Sequence, residues 1–206
     1  MEGLEIYSRQ KDLNLNPPRS VAIIGVGGVG SWMALNLALV GSKKIVLVDH
    51  DEIEIHNLNR TPFKLQHVGC AKVIALSELI HERRNDVEVI ALEKKIEEVD
   101  EVERIFFDDV ECVVDCRDIK KPLPDFLAGR KVIALGYDGF RVTLHFNPNY
   151  DNLWGQPVRY TVVPSFLVPP QLLANIVTLM LCTNTIPSSE KIIRFDVRDL
   201  VRKVVG

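Results

Sequence analysis

The segment from Val21 to Asp49 constrains the fold of this chain more than any other part. An apolar run ending at Ile24 leads into four glycines, and a helical pattern and a second apolar run follow. This order of strand, loop, helix and strand is typical of the start of a parallel α/β sheet that binds a nucleotide. The glycines allow a tight turn, a close approach to a phosphate and close packing of the helix, whose N-terminus offers unpaired N–H groups. They are Gly25, Gly27, Gly28 and Gly30.

The rest of the chain continues the alternation. Apolar runs predict strands at 87–92, 110–114 and 131–135, and helical spacing predicts helices at 69–84 and 99–107. Beyond Gly136, residues 141–146 and 158–163 alternate apolar and polar side chains, which predicts two antiparallel strands joined by a loop. A helix at 171–183 and a strand at 191–197 complete the pattern. The predicted fold is α/β, a Rossmann-like doubly wound, mostly parallel sheet with antiparallel strands in the C-terminal half.

Composition sets the broad class. With 206 residues and 47% hydrophobic content, we expect one domain over 1–206, made of an N-terminal arm (1–20), a nucleotide-binding half (21–136) and a mixed-sheet half (137–206). A net charge of −3 gives no broad basic field, so nucleic acid is an unlikely partner. The N-terminus is polar and no apolar run is long enough to span a bilayer, so we expect a cytoplasmic protein with no membrane partner.

Polar residues follow the second strand. Asp49 lies 19 residues after Gly30, where a carboxylate can accept hydrogen bonds from ribose hydroxyls, and this suits NAD or ATP equally. Arg60, a short way past the strand end, could clamp phosphate oxygens with two hydrogen bonds. Lys72, at the start of the next helix, could add a point charge. Together these cations favour a triphosphate over NAD.

Four segments in this order resemble the ThiF/MoeB family and the adenylation domains of ubiquitin-activating enzymes: GVGGVGS, VDHDEIEIHNLNR, VGCAKV and VVDCRD. The resemblance covers about residues 7–136. It implies an adenylyltransferase that uses ATP and Mg²⁺ to adenylate a carboxylate and releases pyrophosphate. The substrate it implies is the C-terminal Gly-Gly of a small ubiquitin-like or sulfur-carrier protein.

The resemblance also assigns roles to residues. The four glycines match the phosphate loop, Asp49 and Asp51 the acidic strand end, with Asp49 on the ribose. Asn57, Arg60 and Lys72 match the groups around the phosphates. Asp118 matches the magnesium ligand, and Asp115 is expected to be structural. The segment YSRQ resembles a family segment whose arginine reaches the partner subunit's ATP, so Arg9 is expected to act in trans within a homodimer. The implied catalytic residues are Arg9, Arg60, Lys72 and Asp118.

Several positions depart from the family pattern: His56, Thr61 and Ile119 replace a serine, a glutamine and an asparagine. The four cysteines form no CxxC pair, so we expect no zinc, and the positions of Cys112, Cys116 and Cys182 favour packing over catalysis. The resemblance further implies that the mixed-sheet half, 137–206, binds the carrier protein and forms the dimer, and the stretch from GYDGFRV to VRYTVVP is expected to receive the carrier.

Other functions stay open at this point. The acceptor could instead be a peptide or a modified tRNA nucleoside. The glycine loop and Asp49 alone also fit an NAD-dependent oxidoreductase, which would leave the two cations and Asp118 unexplained. A non-catalytic nucleotide-binding scaffold would keep the same ligands without turnover.

Overall fold

Seven strands form one sheet in the computed structural model, which describes residues 6–118, 121–150 and 164–206. Every residue of β1 is buried, as expected of a central strand covered on both faces. The strands are β1 (Ser20–Ile24), β2 (Lys44–Val48), β3 (Glu88–Leu92), β4 (Cys112–Asp115), β5 (Lys131–Asp138), β6 (Arg141–Phe146) and β7 (Lys191–Asp196).

The strand order is β3-β2-β1-β4-β5-β6-β7. Strands β1 to β5 pair in parallel, whereas β6 is antiparallel to both β5 and β7. Val21 lies in register with Ile45 of β2 on one side and with Cys112 of β4 on the other. The chain winds outward in opposite directions from β1 and β4, so a crevice opens where these two strands end. The predicted fold class is confirmed.

Three helices cover one face of this sheet: α1 (Gly28–Val40), α2 (Lys72–His81) and α3 (Val168–Cys182). A fourth helix, α4 (Val197–Val205), follows β7 and buries only Val197. Met33 of α1, Leu76 of α2 and Leu173 of α3 are fully buried in one apolar cluster with the strands. Pro169 and Pro170 lie in the first turn of α3, where a missing N–H costs little.

The opposite face is covered mainly by short 3-10 turns. The segment 99–107 was predicted as a helix, but the structure has only a 3-10 turn at Glu103–Phe107. The prediction is wrong because Val102 and Ile105 are exposed while Phe107 is buried, so no apolar stripe of helical period faces the sheet. The apolar residues of this layer, such as Ile96 and Phe107, pack individually.

In the C-terminal half, both edges of β6 are occupied, by β5 and by β7. The second antiparallel strand was predicted at residues 158–163, which lie outside the part of the chain that the structure describes. Strand β7 was predicted, but its place beside β6 and the terminal helix α4 were not. Within the described ranges, no helix is long and apolar enough to cross a membrane.

Candidate functional site

Two adjoining cavities open at the carboxyl ends of β1 and β4. The larger has a volume of about 510 Å³ and reaches Arg60 and the ends of β5 to β7. The smaller, of about 320 Å³, lies beside Asp49 and Ile96. Their shared wall is formed by Gly27, Lys72, Cys116, Arg117 and Asp118. The crevice therefore has room for a ligand with two parts that meet above the glycine loop.

The glycine loop shapes the floor of the crevice. Gly25 has φ +89°, and a Cβ there would lie 2.8 Å from the Cys116 carbonyl carbon. At Gly30 a Cβ would lie only 1.9 Å from the Gly25 carbonyl oxygen. Neither position can hold a side chain without movement of backbone. Gly28 lies beneath the Tyr137 hydroxyl, whereas a Cβ on Gly27 would meet nothing within 4 Å.

Helix α1 begins at this floor without a cap. Its N-cap residue, Gly27, has no side chain to accept a hydrogen bond, and the first turn contains no acidic residue. The first helical bond runs from Ser31 N to Gly27 O. Within the described chain, no group accepts from the preceding amides of Gly28, Val29 and Gly30. Unpaired amides and the positive end of the helix dipole together attract an anion.

Asp49 is held in place at the end of β2. Its side chain is 8% exposed, and its carboxylate accepts from Val26 N at 2.5 Å and from Asp51 N at 2.9 Å. Each oxygen keeps a second lone pair free to accept from a hydroxyl. The loop and the acidic strand end are thereby tied to each other.

Lys72 and Asp51 form an ion pair at the mouth of both cavities. Lys72 Nζ lies 2.7 Å from Asp51 Oδ2, and the lysine side chain is 11% exposed against 52% for the aspartate. Burial raises the pKa of Asp51, but the hydrogen bond and charge of Lys72 outweigh it, so the pKa is lowered. An ammonium this enclosed needs an anionic partner, and Asp51 supplies one.

Arg60 enters the larger cavity from a turn that Asn57 stabilises. The Asn57 side chain is buried and accepts from Glu54 N, while its carbonyl accepts from Thr61 Oγ1. The guanidinium of Arg60 donates to the His56 carbonyl at 2.7 Å and to Asn59 Oδ1 at 3.1 Å. No carboxylate pairs with Arg60 in the described chain, so its charge is available to a ligand. Asn57 lines this cavity but acts here mainly within the turn.

The two aspartates after β4 have different surroundings. Asp115 is fully buried and takes two hydrogen bonds from the Arg117 guanidinium, at 3.0 and 2.9 Å, and one from Tyr150. Asp118 is exposed, lines both cavities and forms no ion pair among the described residues. The carboxylate of Asp115 is thus used in hydrogen bonds within the protein, whereas that of Asp118 is available to bind a ligand. Ile119 lies outside the described residues.

Three residues of the crevice were not identified from the sequence. Arg117 bridges Asp115 and Glu97 between the two cavities. Tyr137 covers Gly28, and burial raises the pKa of its hydroxyl while the charge of Arg60 acts in the opposite direction. Arg194 comes from β7, far along the chain. Arg117 carried a signal, since it follows the same strand as the other candidates, and Tyr137 lies in the stretch that was expected to receive the carrier protein.

Arg9 lies away from this crevice. The adjacent Gln10 donates from Nε2 to the carbonyl of Val40, at the C-terminal end of α1. The glycine loop is at the other end of that 13-residue helix, roughly 18 Å away at 1.5 Å per residue. Arg9 is exposed and too distant to reach the crevice of its own chain.

The four cysteines differ in burial. Cys112 and Cys182 are buried, and burial raises the pKa of Cys112 to about 12. Cys116 is half-buried and lines both cavities, while Cys70 is exposed. Among the described residues, the only grouping of three metal-capable side chains is Asp49, His50 and Asp51, which contains no cysteine.

Comparison with known proteins identifies the family. A sequence model of the ThiF family matches residues 8–121, more than half of the chain. The chain belongs to the ThiF family. This ThiF-family chain is 37% identical over 104 residues to ubiquitin-like modifier-activating enzyme 5 of Drosophila erecta, covering 50% of this chain and 24% of that protein. The Bombyx mori protein of the same name is 36% identical over 86 residues, covering 42% and 22%. The chain thus spans about a quarter of the length of these relatives.

Solved structures share the fold at low identity. A crystal structure of PaaA has a TM-score of 0.69 at 19% identity and covers 96% of this chain and 75% of PaaA. Escherichia coli MccB with AMPCPP and MccA gives 0.69 at 18% identity, with coverage of 95% and 72%. MccB with ATP gives 0.67 at 18%, with coverage of 93% and 71%. The family match supports an E1-like adenylating protein, and the structural likeness supports the fold.

Proposed function

We propose that this ThiF-family chain adenylates the C-terminal carboxylate of a small ubiquitin-like or sulfur-carrier protein, using ATP and Mg²⁺ and releasing pyrophosphate. The observation that carries the proposal is the uncapped N-terminus of α1, which opens into a crevice that also contains Arg60, Lys72 and Asp118. A polyphosphate fits these groups. A hydride-transferring enzyme would have no use for both cations and a free aspartate at this place.

The proposed reaction requires the protein to stabilise negative charge on the phosphates. An oxygen of the acceptor carboxylate attacks the α-phosphorus of ATP, and a new oxygen–phosphorus bond forms. The bond from that phosphorus to the bridging oxygen breaks, and its electron pair leaves with pyrophosphate. A carboxylate is ionised at neutral pH, so no general base is needed. Negative charge grows on the phosphoryl oxygens, where the α1 amides and Arg60 can donate hydrogen bonds.

Lys72 would change partners when ATP binds. In the structure its ammonium is held by Asp51, whose side chain is 52% exposed and can turn outward into water. A triphosphate carries more charge than one carboxylate and approaches the same ammonium from the crevice. We therefore assign Asp51 the task of holding Lys72 in place until the nucleotide arrives, and Asp49 that of accepting from the ribose.

Asp118 would hold the magnesium ion. Mg²⁺ prefers oxygen ligands and is commonly bound by one or two carboxylates with phosphate oxygens, and Asp118 offers an unpaired carboxylate on the wall that both cavities share. When bound there, the ion would neutralise charge on the phosphates and on the departing pyrophosphate.

Arg9 would act in a second subunit. Since it is too far from its own crevice, it can serve the reaction only across an interface between two copies of the chain, as an arginine that stabilises charge in trans. Mixing an Arg9→Ala variant with an Asp118→Ala variant tests this. Each variant should be inactive alone, and the mixture should recover part of the activity, because one site of a mixed dimer is intact. A mixture as inactive as its components would contradict both the dimer and the role of Arg9.

The decisive test of the proposed function is ATP–pyrophosphate exchange with Mg²⁺ and candidate carriers that end in Gly-Gly. Exchange should require a carrier and fall by at least about a hundredfold in Asp118→Ala. Asp108→Ala, a change of an exposed aspartate just before β4 and so at the opposite end of the sheet from the crevice, is the matched control and should leave exchange unchanged. Failure to bind ATP at all would overturn the proposal.

A different acceptor is the second candidate. The MccB structures, one of them in complex with MccA, resemble this chain over 95% of its length. Exchange that needs no carrier ending in Gly-Gly but does respond to a peptide would favour this acceptor class. The four cysteines of the sequence form no CxxC pair and no dense disulfide scaffold, which fits a reducing compartment, and we propose the cytoplasm on that ground.

A further inference from the structure

We propose that the acceptor of this chain has an acidic C-terminal tail, which lies across the ends of β6 and β7 and is received by Arg141 and Arg194. The inference rests on the proposed adenylation of a C-terminal carboxylate, because it concerns the same crevice. It adds the charge of the substrate and the two residues that select it.

Both arginines lie at the crevice end of the sheet. Strand β5 ends there, β6 starts there with Arg141, and β7 returns to it. Asp138 pairs with Arg141, and Thr143 pairs with Arg194, so Arg141, Thr143 and Arg194 project from the same face of the sheet. All three line the larger cavity together with Gly27 and Arg60. This face therefore continues from the place where the acceptor carboxylate must react.

In the part of the chain that the structure describes, the two guanidinium groups stand without a side-chain partner. Both residues are exposed, and among the described residues neither makes an ion pair or a side-chain hydrogen bond. Asp138 is the strand partner of Arg141 but forms no ion pair with it. Asp196 forms an ion pair with Arg198, with 2.6 Å between Nη2 and Oδ2. Residues 151–163, outside the described part, contain one aspartate and one arginine and so add no net charge. The face keeps an excess of positive charge.

The distances suit residues near the end of a tail. Adjacent strands are about 4.8 Å apart, so β6 and β7 lie roughly 10 and 14 Å from β4, where the nucleotide site is. An extended peptide advances about 3.3 to 3.6 Å per residue. The side chains that reach Arg141 and Arg194 should therefore be about the third and fourth before the terminal residue.

An acidic peptide fits this face better than a nucleic acid does. A nucleic-acid backbone needs a stripe of many cations, whereas this face has two arginines, with Asp138 beside them in a chain of net charge −3. Two isolated cations at the rim are suited to selecting a partner by charge, since exposed complementary pairs contribute specificity more than affinity.

Peptide binding tests the inference without turnover. Three fluorescein-labelled peptides ending in Gly-Gly, with glutamate, serine or lysine at the third and fourth positions before the terminal residue, are titrated by fluorescence anisotropy. The glutamate peptide should bind about tenfold more tightly than the lysine peptide. The double variant Arg141→Glu/Arg194→Glu should reverse that order. Lys191→Glu should not, because Lys191 projects from the opposite face of β7, three residues away.

The outcomes separate this inference from the proposed function. Equal binding of the three peptides, or an unchanged preference in the double variant, overturns the inference even if exchange activity is present. Displacement by tRNA with no preference for glutamate assigns the arginines to nucleic acid and also overturns it. A glutamate preference that the double variant reverses supports it, and exchange assays then decide separately whether the bound tail is adenylated. Circular dichroism should show both variants folded, since both arginines are exposed.

Discussion

Substitution of Gly30 by alanine should damage the fold, and the structure gives the reason in one distance. A Cβ at this position would lie 1.9 Å from the Gly25 carbonyl oxygen, whereas real Cβ atoms essentially never approach closer than 3.0 Å. The oxygen belongs to the backbone of a turn at φ +89° and cannot move independently. Helix α1 must therefore move away from the loop by about 1 Å or more.

The cost follows from what α1 packs against. Met33, Ala34, Leu37 and Ala38 are fully buried between the sheet and the other helices, and a shift of this size loses a large part of their dispersion contacts. Overpacking of a core costs about 1 to 3 kcal/mol and occasionally more, and we expect the upper end here because backbone meets backbone. For a chain of this length, 3 kcal/mol lowers Tm by roughly 6 to 12 °C.

Differential scanning calorimetry of three proteins checks this reasoning. Gly27→Ala is the matched control, because the added methyl group would project into open space beside the crevice and meet no atom within 4 Å. It should keep the wild-type Tm within about 2 °C, yet weaken ATP binding, because phosphate and backbone could no longer approach closely. A Tm for Gly30→Ala within 2 °C of the wild type would refute the argument that close packing requires a glycine there.

Three further predictions concern residues outside the crevice. Arg84→Met should lower the free energy of unfolding, measured by urea denaturation, by about 2 to 3 kcal/mol. This loss is smaller than for a fully buried ion pair because the Asp86 side chain is 32% exposed. An unchanged urea midpoint would contradict this. Burial raises the pKa of Asp86, but the hydrogen bonds from Arg84 outweigh this effect and hold this pKa below the ordinary 3.8. The ionised carboxylate therefore stabilises the folded protein, and this contribution is lost as the pH falls below about 4. Asp86→Asn should therefore flatten the acid limb of the stability curve, and a limb as steep as that of the wild type would show that other groups cause it. Ellman's reagent should modify the exposed Cys70 in the native protein but should modify Cys112 only after unfolding. The reason is that burial raises the pKa of Cys112 to about 12. Rapid modification of Cys112 in the folded protein would be evidence against its burial.

The nucleotide-binding half was predictable because its signals are local. Strands β1 and β2 are buried on both faces and therefore appear as unbroken apolar runs. The spacing of the glycines reports contacts between residues close in sequence, such as Gly30 against Gly25. Ordinary strand and turn chemistry was therefore enough to predict that the glycine loop and Asp49 meet at the carboxyl ends of β1 and β2.

The C-terminal half was less predictable because strand pairing there depends on distant residues. Residues 141–146 alternate between apolar and polar side chains, as a half-buried strand should. This alternation does not show which strand lies beside them. The neighbour is β7, whose residues come after α3 in the chain. Helix α4 was missed because most of its apolar residues, among them Val204 and Val205, are exposed, so it has little buried face to reveal.

Within the site, residue types were easier to predict than their partners. Arg60, Lys72 and Asp118 do come together around one crevice, as their order in the sequence indicated. That Lys72 pairs with Asp51 follows from the three-dimensional meeting of the β2 end and the start of α2. Sequence position alone could not supply that contact.

Helix α1 starts differently from helix α4, and its open first turn lines the crevice, since Gly28 and Val29 lie in the wall of the larger cavity. Helix α4 is capped by Asp196, whose side chain accepts from Arg198 N, so its N-terminus is satisfied internally. Helix α1 starts at Gly27, with neither a capping side chain nor an acidic residue in its first turn. With glycine at the N-cap, the stability lost relative to a capping side chain is only a few tenths of a kcal/mol. The open amides of α1 instead face the crevice at the end of β1, which is why we propose that the phosphates of a nucleotide bind there.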